Sequence, residues 1–167
     1  VTFNNGSSAI ASIKVSTNPA KVYFTLEGIH IESGYGTNYM LCGLLPAASY
    51  KVDTCFTNCE KVLAGGTSSA VYQMSFMEGT SEYVAFSDLR SSALTVGNEY
   101  IFWYVVPRTN DEGDLYVVAE EFFTESYTHS SVSFNVNSVS FFDANIKLVT
   151  KNSANFMLGY AKAEEFN

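Results

Sequence analysis

Period-2 alternation of apolar and polar residues is the feature that most restricts what this sequence can fold into. In the segment AIASIKVST, Ala9, Ala11, Ile13 and Val15 alternate with serine and lysine, so they would share one face of an extended strand. Similar segments, rich in β-branched and aromatic residues and bounded by Gly, Asn, Ser or Asp, are KVYFTLEG, YQMSFMEG, SVSFNVNSVSFF and NIKLVTKN. Many short strands with frequent turn signals predict an all-β sandwich or barrel.

The composition supports a packed core and disfavours two classes of partner. Hydrophobic residues make up 47% and aromatic residues 15% of the 167-residue chain, which is enough to bury a core. The net charge is −8, and the nine Lys and Arg residues are scattered along the chain. Binding to nucleic-acid phosphates or to an anionic membrane surface is therefore disfavoured. No apolar run reaches the roughly 20 residues that span a bilayer, so we expect no membrane insertion.

Three cysteines, Cys42, Cys55 and Cys59, lie close together in the sequence. Cys55 and Cys59 flank the residues FTN, and a hairpin there would bring them within bridging distance. We predict a disulfide between Cys55 and Cys59, formed in an oxidising compartment; the alternative is three reduced, partly buried thiols. Asn5 begins the sequence NGS, a sequon for N-glycosylation. Both features favour an extracellular or cell-surface location.

A leucine stands six residues before a tyrosine at two places in the chain. LLPAASYKV contains Leu44 and Tyr50, and LTVGNEYIF contains Leu94 and Tyr100. The two pairs have the same offset, since 94 − 44 = 50 and 100 − 50 = 50. Repetition of this kind predicts duplicated supersecondary units.

The two motifs resemble the tyrosine corner of fibronectin type III and related immunoglobulin-like sandwiches. In that family the tyrosine begins strand F, and its hydroxyl bonds back to the backbone a few residues upstream. The resemblance implies structural corners at Tyr50 and Tyr100, preceded by Leu44 and Leu94. The segments YKVDTCF and YIFWYVV would then be two F strands.

Fifty residues between the corners is shorter than one domain of the family, which has about 100 residues. We therefore predict two conjoined immunoglobulin-like units that are either incomplete or interlocked, with strands shared between them or supplied from elsewhere. The expected divisions are an N-terminal extended strand over 1–12, a first unit over 13–66 and a second unit over 70–167, with AGGTSS as the junction.

The sequence offers little catalytic chemistry. Asp111, Glu112 and Asp114 could bind Ca²⁺ through carboxylate oxygens, but we predict a solvated hairpin tip there. His30 has no nucleophile at a defined spacing. We expect no enzymatic activity, no catalytic residues, no metal site and no cofactor.

Tyrosines in predicted loops suggest a different kind of site. Tyr35, Tyr39 and Tyr127 lie among Gly, Ser and Thr, and their rings could stack on sugars. Single exposed aromatic residues without a role are the alternative.

Low charge in the predicted strands favours a subunit that associates with copies of itself. A monomer usually protects its edge strands with charge, whereas VTFNN and SVSFNVNSVSFF carry none. In the first of these, Val1 and Phe3 precede the polar spacer NNGSS. We predict that this end is donated as a strand to a neighbouring copy in a head-to-tail homopolymer; the alternative is an ordinary first strand.

The expected function is therefore a structural subunit of an extracellular filament, assembled by β-strand addition between immunoglobulin-like domains. The alternative function is a cell-surface adhesion or recognition module that binds glycans or proteins through its loops. The two differ in assembly, because a filament subunit forms large species and a recognition module stays monomeric.

Overall fold

The computed structural model describes residues 18–34, 37–77, 79–140 and 144–151. Antiparallel strands dominate it, and two α-helices and two short 3₁₀ helices (Ala47–Ser49 and Ala119–Glu121) accompany them. In chain order the strands and α-helices are β1 (Ala20–Phe24), β2 (Gly28–Ser33), β3 (Tyr39–Pro46), α1 (Val52–Leu63), β4 (Tyr72–Ser75), β5 (Ser81–Ala85), α2 (Phe86–Leu89), β6 (Glu99–Val105), β7 (Arg108–Thr109), β8 (Leu115–Tyr116), β9 (Phe123–Thr128), β10 (Ser131–Val139) and β11 (Ala144–Lys151).

Two sheets pack against each other through their apolar faces. One sheet has the strand order β1-β2-β5, and the other has the order β4-β3-β6-β9. The first core lies between them and takes buried side chains from both: Ala20, Ile29, Ile31, Met40, Cys42, Leu44, Met74, Phe76, Val84, Phe86, Leu89, Tyr100, Phe102 and Tyr104. The expectation of a fold made of short antiparallel strands is confirmed.

Helix α1 covers the other face of the four-stranded sheet. This second core is formed by buried residues of α1, β3, β6 and the segment before β9: Leu41, Cys55, Cys59, Val62, Trp103, Val105 and Val117. Strands β3 and β6 therefore carry apolar residues on both faces, as their uninterrupted burial over 40–44 and 102–105 requires.

The segment of α1 was predicted as a strand, and that prediction is wrong. Val52–Leu63 forms three helical turns, with Cys55, Cys59 and Val62 as its buried residues. These residues recur at i, i+4 and i+7, which is the helical period. Asp53 in the first turn and Lys61 in the last turn complement the helix dipole.

A glycine ends α1 where the sequence analysis placed a junction between units. Gly65 has φ of +85°, a conformation that favours glycine. Its N–H donates to Val62 O at 3.0 Å, and the N–H of Gly66 donates to Lys61 O at 2.9 Å. This is the hydrogen-bond pattern of a Schellman C-cap, so AGG acts as a helix stop.

The two predicted units, 13–66 and 70–167, share both sheets. Strand β2 pairs with β5, and β3 pairs with β4 and β6, so each sheet combines strands from both sides of the predicted boundary. The predicted N-terminal strand, 1–12, lies outside the described residues.

The last two described strands form a separate hairpin. Strands β10 and β11 pair with each other and with no other strand of the described residues. A bulge between Val136 and Ser138 interrupts their register. The hairpin follows β9, the edge strand of the four-stranded sheet, after two residues.

Candidate functional site

The second tyrosine motif places Tyr100 at the start of β6. Tyr100 is 2% exposed, and the backbone N–H of Thr95 donates a hydrogen bond to its hydroxyl at 2.8 Å. The guanidinium of Arg90 lies 5.0 Å from the ring centroid. Burial raises the pKa of the Tyr100 hydroxyl, but the hydrogen bond from Thr95 and the charge of Arg90 bring it below its ordinary value. Leu94 packs against the first core just before this turn.

The first tyrosine motif has different surroundings. Leu44 lies within β3 and faces the first core. Tyr50 lies between a 3₁₀ helix and α1, and it packs against the second core instead. No side-chain hydrogen bond joins the Tyr50 hydroxyl to any other described residue. The two motifs match in sequence, but one tyrosine begins a strand and the other precedes a helix.

We expect the Tyr100→Phe variant to lose about 1–2 kcal/mol of unfolding free energy, because the Thr95 N–H is left without its acceptor. The matched Tyr50→Phe variant should change stability by less than about 0.5 kcal/mol, since its hydroxyl holds no side-chain hydrogen bond. Urea unfolding followed by the fluorescence of Trp103 measures both. Equal losses would contradict the difference between the two motifs.

The predicted disulfide is not formed in the structure. Cys42, Cys55 and Cys59 are free and buried. Cys55 and Cys59 lie one turn apart on the buried face of α1, where both side chains point at the sheet. The hairpin that would have paired them is absent, because this segment is helical.

Burial makes these thiols weak acids. Removal from water raises the pKa of Cys55 to about 11 and that of Cys59 to about 12. Burial also raises the pKa of Cys42, and Cys59 adds to that effect. Thiols that stay neutral at physiological pH react slowly, so these cysteines act as small apolar core residues.

We expect the unfolding free energy to fall as the pH rises from about 9 towards 12. The fold favours the neutral thiols, so their contribution is complete below the pKa of the unfolded chain, about 8.5, and is lost through the folded values. Urea unfolding at several pH values in this range measures how steeply the unfolding free energy falls with pH. The Cys55→Ala variant should show a less steep fall. Rapid labelling of native protein by a thiol reagent at pH 7.5 would contradict the assignment.

The acidic loop forms a tight turn between β7 and β8. The Asn110 side-chain oxygen accepts hydrogen bonds from the N–H groups of Glu112 at 3.0 Å and Asp114 at 2.7 Å. Asp111, Glu112 and Asp114 are exposed. No group of three or more His, Cys, Asp or Glu residues in the described ranges is arranged to hold a metal ion.

The two loop tyrosines that the structure describes, Tyr39 and Tyr127, are half-buried in strands. Tyr39 lies in β3, is half-buried and donates from its hydroxyl to Gln73 Oε1 at 2.7 Å. Tyr127 lies in β9 and donates to Thr25 O at 3.0 Å, with its ring stacked on Phe24. Tyr35 lies outside the described residues, as do three further predicted site residues: Asn5, Val1 and Phe3.

An exposed apolar surface on the hairpin is the first feature that the sequence analysis did not locate. Cross-strand neighbours lie on the same face, and the register pairs Val132 with Thr150, Phe134 with Leu148, and Val136 with Ile146. We call these six residues the hairpin face. Its apolar members are largely open to solvent, with Phe134 67% exposed and Ile146 55% exposed.

An aromatic row on the outer face of sheet β1-β2-β5 is the second such feature. Tyr23, His30 and Tyr83 are direct cross-strand neighbours, and we call them the aromatic row. The His30 and Tyr83 rings lie 4.9 Å apart, and Tyr23 and Tyr83 are each nearly half exposed. Beside the row, Glu32 lies 3.5 Å from the Tyr23 hydroxyl and borders a shallow depression of about 490 Å³.

Comparison with protein-family models, with curated proteins and with solved structures found no significant match for this chain. Neither α-helix of the described residues has the length and apolar character that crossing a bilayer demands. The two exposed surfaces are therefore the observations from which a function can be argued.

Proposed function

We propose that this chain is one immunoglobulin-like sandwich with a helix inserted between two of its strands, and that it is a structural subunit which assembles with copies of itself. The exposed hairpin face is the observation that carries the assembly proposal. The extracellular filament expected from the sequence is the form of assembly that we propose.

The strand order supports a single immunoglobulin-like unit. Taken in chain order as strands A, B, C, C′, E, F and G, the strands β1 to β6 and β9 pair as A-B-E and C′-C-F-G. Immunoglobulin-like domains divide their strands in this way, with C′ beside C when it is present. Tyr100 then begins strand F, and its hydroxyl bonds back towards the E–F turn.

The hairpin face supports self-association because it is an exposed apolar surface on strands that pair with no other described strand. A two-stranded hairpin is at best marginally stable in water unless one face packs against something. The face carries no charge, and Val132, Phe134 and Val136 repeat along one side of β10. An apolar face of this kind marks an interaction site.

The charge distribution of the chain favours a second copy of the same chain as the partner that binds the hairpin face. Residues 18–128 contain five basic and fourteen acidic residues, so the sandwich is acidic. The hairpin strands contain only basic charged residues, Lys147 and Lys151. Each copy thus carries an apolar hairpin whose two strands are basic and a sandwich that is acidic, and these attract each other between copies.

The N-terminal segment 1–12 is the other donor in this proposal. Val1 and Phe3 would add main-chain hydrogen bonds to an edge strand of a neighbouring copy, while the hairpin supplies apolar contact area. The extracellular location rests on the Asn5 sequon, since free thiols do not require an oxidising compartment.

We expect the protein to self-associate and the Phe134→Ser variant to associate about 10- to 100-fold more weakly, because burying a phenylalanine contributes about 1.5–3 kcal/mol. The control is Asn135→Ser, on the opposite face of the same strand. Sedimentation velocity over a concentration series measures both. A wild-type chain that stays monomeric at millimolar concentration would refute the assembly proposal.

The aromatic row favours a second candidate function, recognition of a neutral glycan. Its rings span two interstrand spacings, about 10 Å, and present faces on which the C–H groups of pyranose rings could stack. The neighbouring Glu32 carboxylate and Ser81 hydroxyl offer hydrogen-bonding groups for sugar hydroxyls. Lys21, a cation beside the row, is paired with Glu32 at 3.8 Å, so the described residues favour a neutral ligand over an anionic one.

We expect weak binding of soluble neutral polysaccharides, detected as retarded migration in gels that contain a β-glucan, a mannan, a galactan or soluble chitin. Tyr23→Ala should weaken the retardation about 2- to 12-fold, since stacking on one ring contributes about 0.5–1.5 kcal/mol. The control is Met77→Ala, an exposed apolar residue between β4 and β5. Unchanged migration in all four gels would exclude this function.

A further inference from the structure

We propose that the groove between α1 and β8 is the acceptor site for the hairpin face of a neighbouring copy. The groove has a volume of about 360 Å³ and is lined by Glu60, Leu63, Ala64, Asp114, Leu115 and Tyr116. This inference rests on the proposed assembly and names the surface that completes it.

The floor of the groove is apolar and exposed. Leu115 is 43% exposed and Tyr116 is 40% exposed, although both are large hydrophobic residues on a two-residue strand. Leu63, in the last turn of α1, is half-buried beside them. The floor can therefore accept apolar side chains from outside the subunit, and burial there removes water from both partners.

The rim of the groove is acidic. Glu60 borders it on the α1 side, and Asp114 borders it on the β8 side; both are exposed. The two lysines of the hairpin lie on the side opposite to the hairpin face, because Lys147 pairs with Asn135 and Lys151 pairs with Ser131. Their positive charge is attracted to the acidic rim across a few ångströms rather than by direct contact, while the hairpin face lies on the floor.

Phe134 is the anchor residue of this contact. It lies in the middle of the hairpin face, opposite Leu148, and it is more exposed than Val132, Val136 or Ile146. Interfaces concentrate their binding energy in a few large, central side chains that fill a pocket. The groove offers such a pocket, and the smaller residues around Phe134 would exclude water from it.

The contact joins two different surfaces of the subunit, which decides the form of the assembly. The donor hairpin follows β9, whereas the acceptor groove lies between α1 and β8. A contact between unlike surfaces is heterologous, and it builds an open filament unless its rotation closes a ring. One contact type therefore suffices for a head-to-tail polymer.

A charge exchange between donor and acceptor tests the inference. In sedimentation velocity at low ionic strength, Glu60→Lys and Lys147→Glu should each weaken association about two- to threefold, as expected for attraction between charges that are near each other but not in contact. Combining the two substitutions should restore it. Leu115→Ser should weaken association about tenfold through the apolar floor. The control is Glu82→Lys, which makes the same charge change at an exposed position of β5.

The outcomes separate this inference from the proposed function. If Phe134→Ser weakens association while the Glu60 and Leu115 variants leave it unchanged, the hairpin has another acceptor and the groove assignment is wrong. Equal weakening by Glu60→Lys and Glu82→Lys would mean that net charge alone acts, which also overturns it. A wild-type monomer refutes the assembly as a whole. Rescue by the double exchange, with Glu82→Lys inert, establishes the contact.

Discussion

The pairing of β3 with β6 is the interaction on which both cores depend. These strands are hydrogen-bonded from Leu41–Val105 to Pro46–Tyr100. Each of the two strands contributes side chains to the core between the sheets from one face and to the core under α1 from the other face. Gly43 lies opposite Trp103 in this register. A Cβ atom there would lie 2.7 Å from the Trp103 ring and 2.5 Å from Ala70 O, so the indole can lie over β3 only because this residue is glycine.

The sequence could predict the strands, but it could not predict that each sheet combines strands from both sides of the predicted boundary. Alternation identified β10 and β11, and YIFWYVV proved to be strand β6. The segment of α1 failed because VDTCFTNCEKVL satisfies both periods: Val52, Thr54 and Phe56 alternate, while Cys55, Cys59 and Val62 follow a helix. The residues AGG that follow α1 are typical of a Schellman helix C-cap, but the sequence analysis predicts a junction between two units there.

The surfaces were less predictable than the strands. Alternation in SVSFNVNSV indicates that one face of β10 is apolar, yet the same pattern suits a strand packed on its own sandwich. Only the tertiary arrangement, in which the hairpin pairs with no other described strand, leaves that face exposed. The aromatic row also depends on the tertiary arrangement. Tyr23, His30 and Tyr83 are distant in sequence and become neighbours through the register of β1, β2 and β5.

The shared sheets also determine the order in which the chain can acquire structure. Ile29 pairs with Val84, and Leu44 pairs with Phe102, so the sandwich closes over long separations; topologies of this kind fold on the order of milliseconds to seconds. The hairpin β10–β11 needs only local contacts and can form within roughly 1–10 microseconds. An apolar hairpin of marginal stability can thus form transiently on each chain before its sandwich closes. The protein concentration during folding, and not only after it, then determines whether copies associate as folded subunits or aggregate as partly folded intermediates.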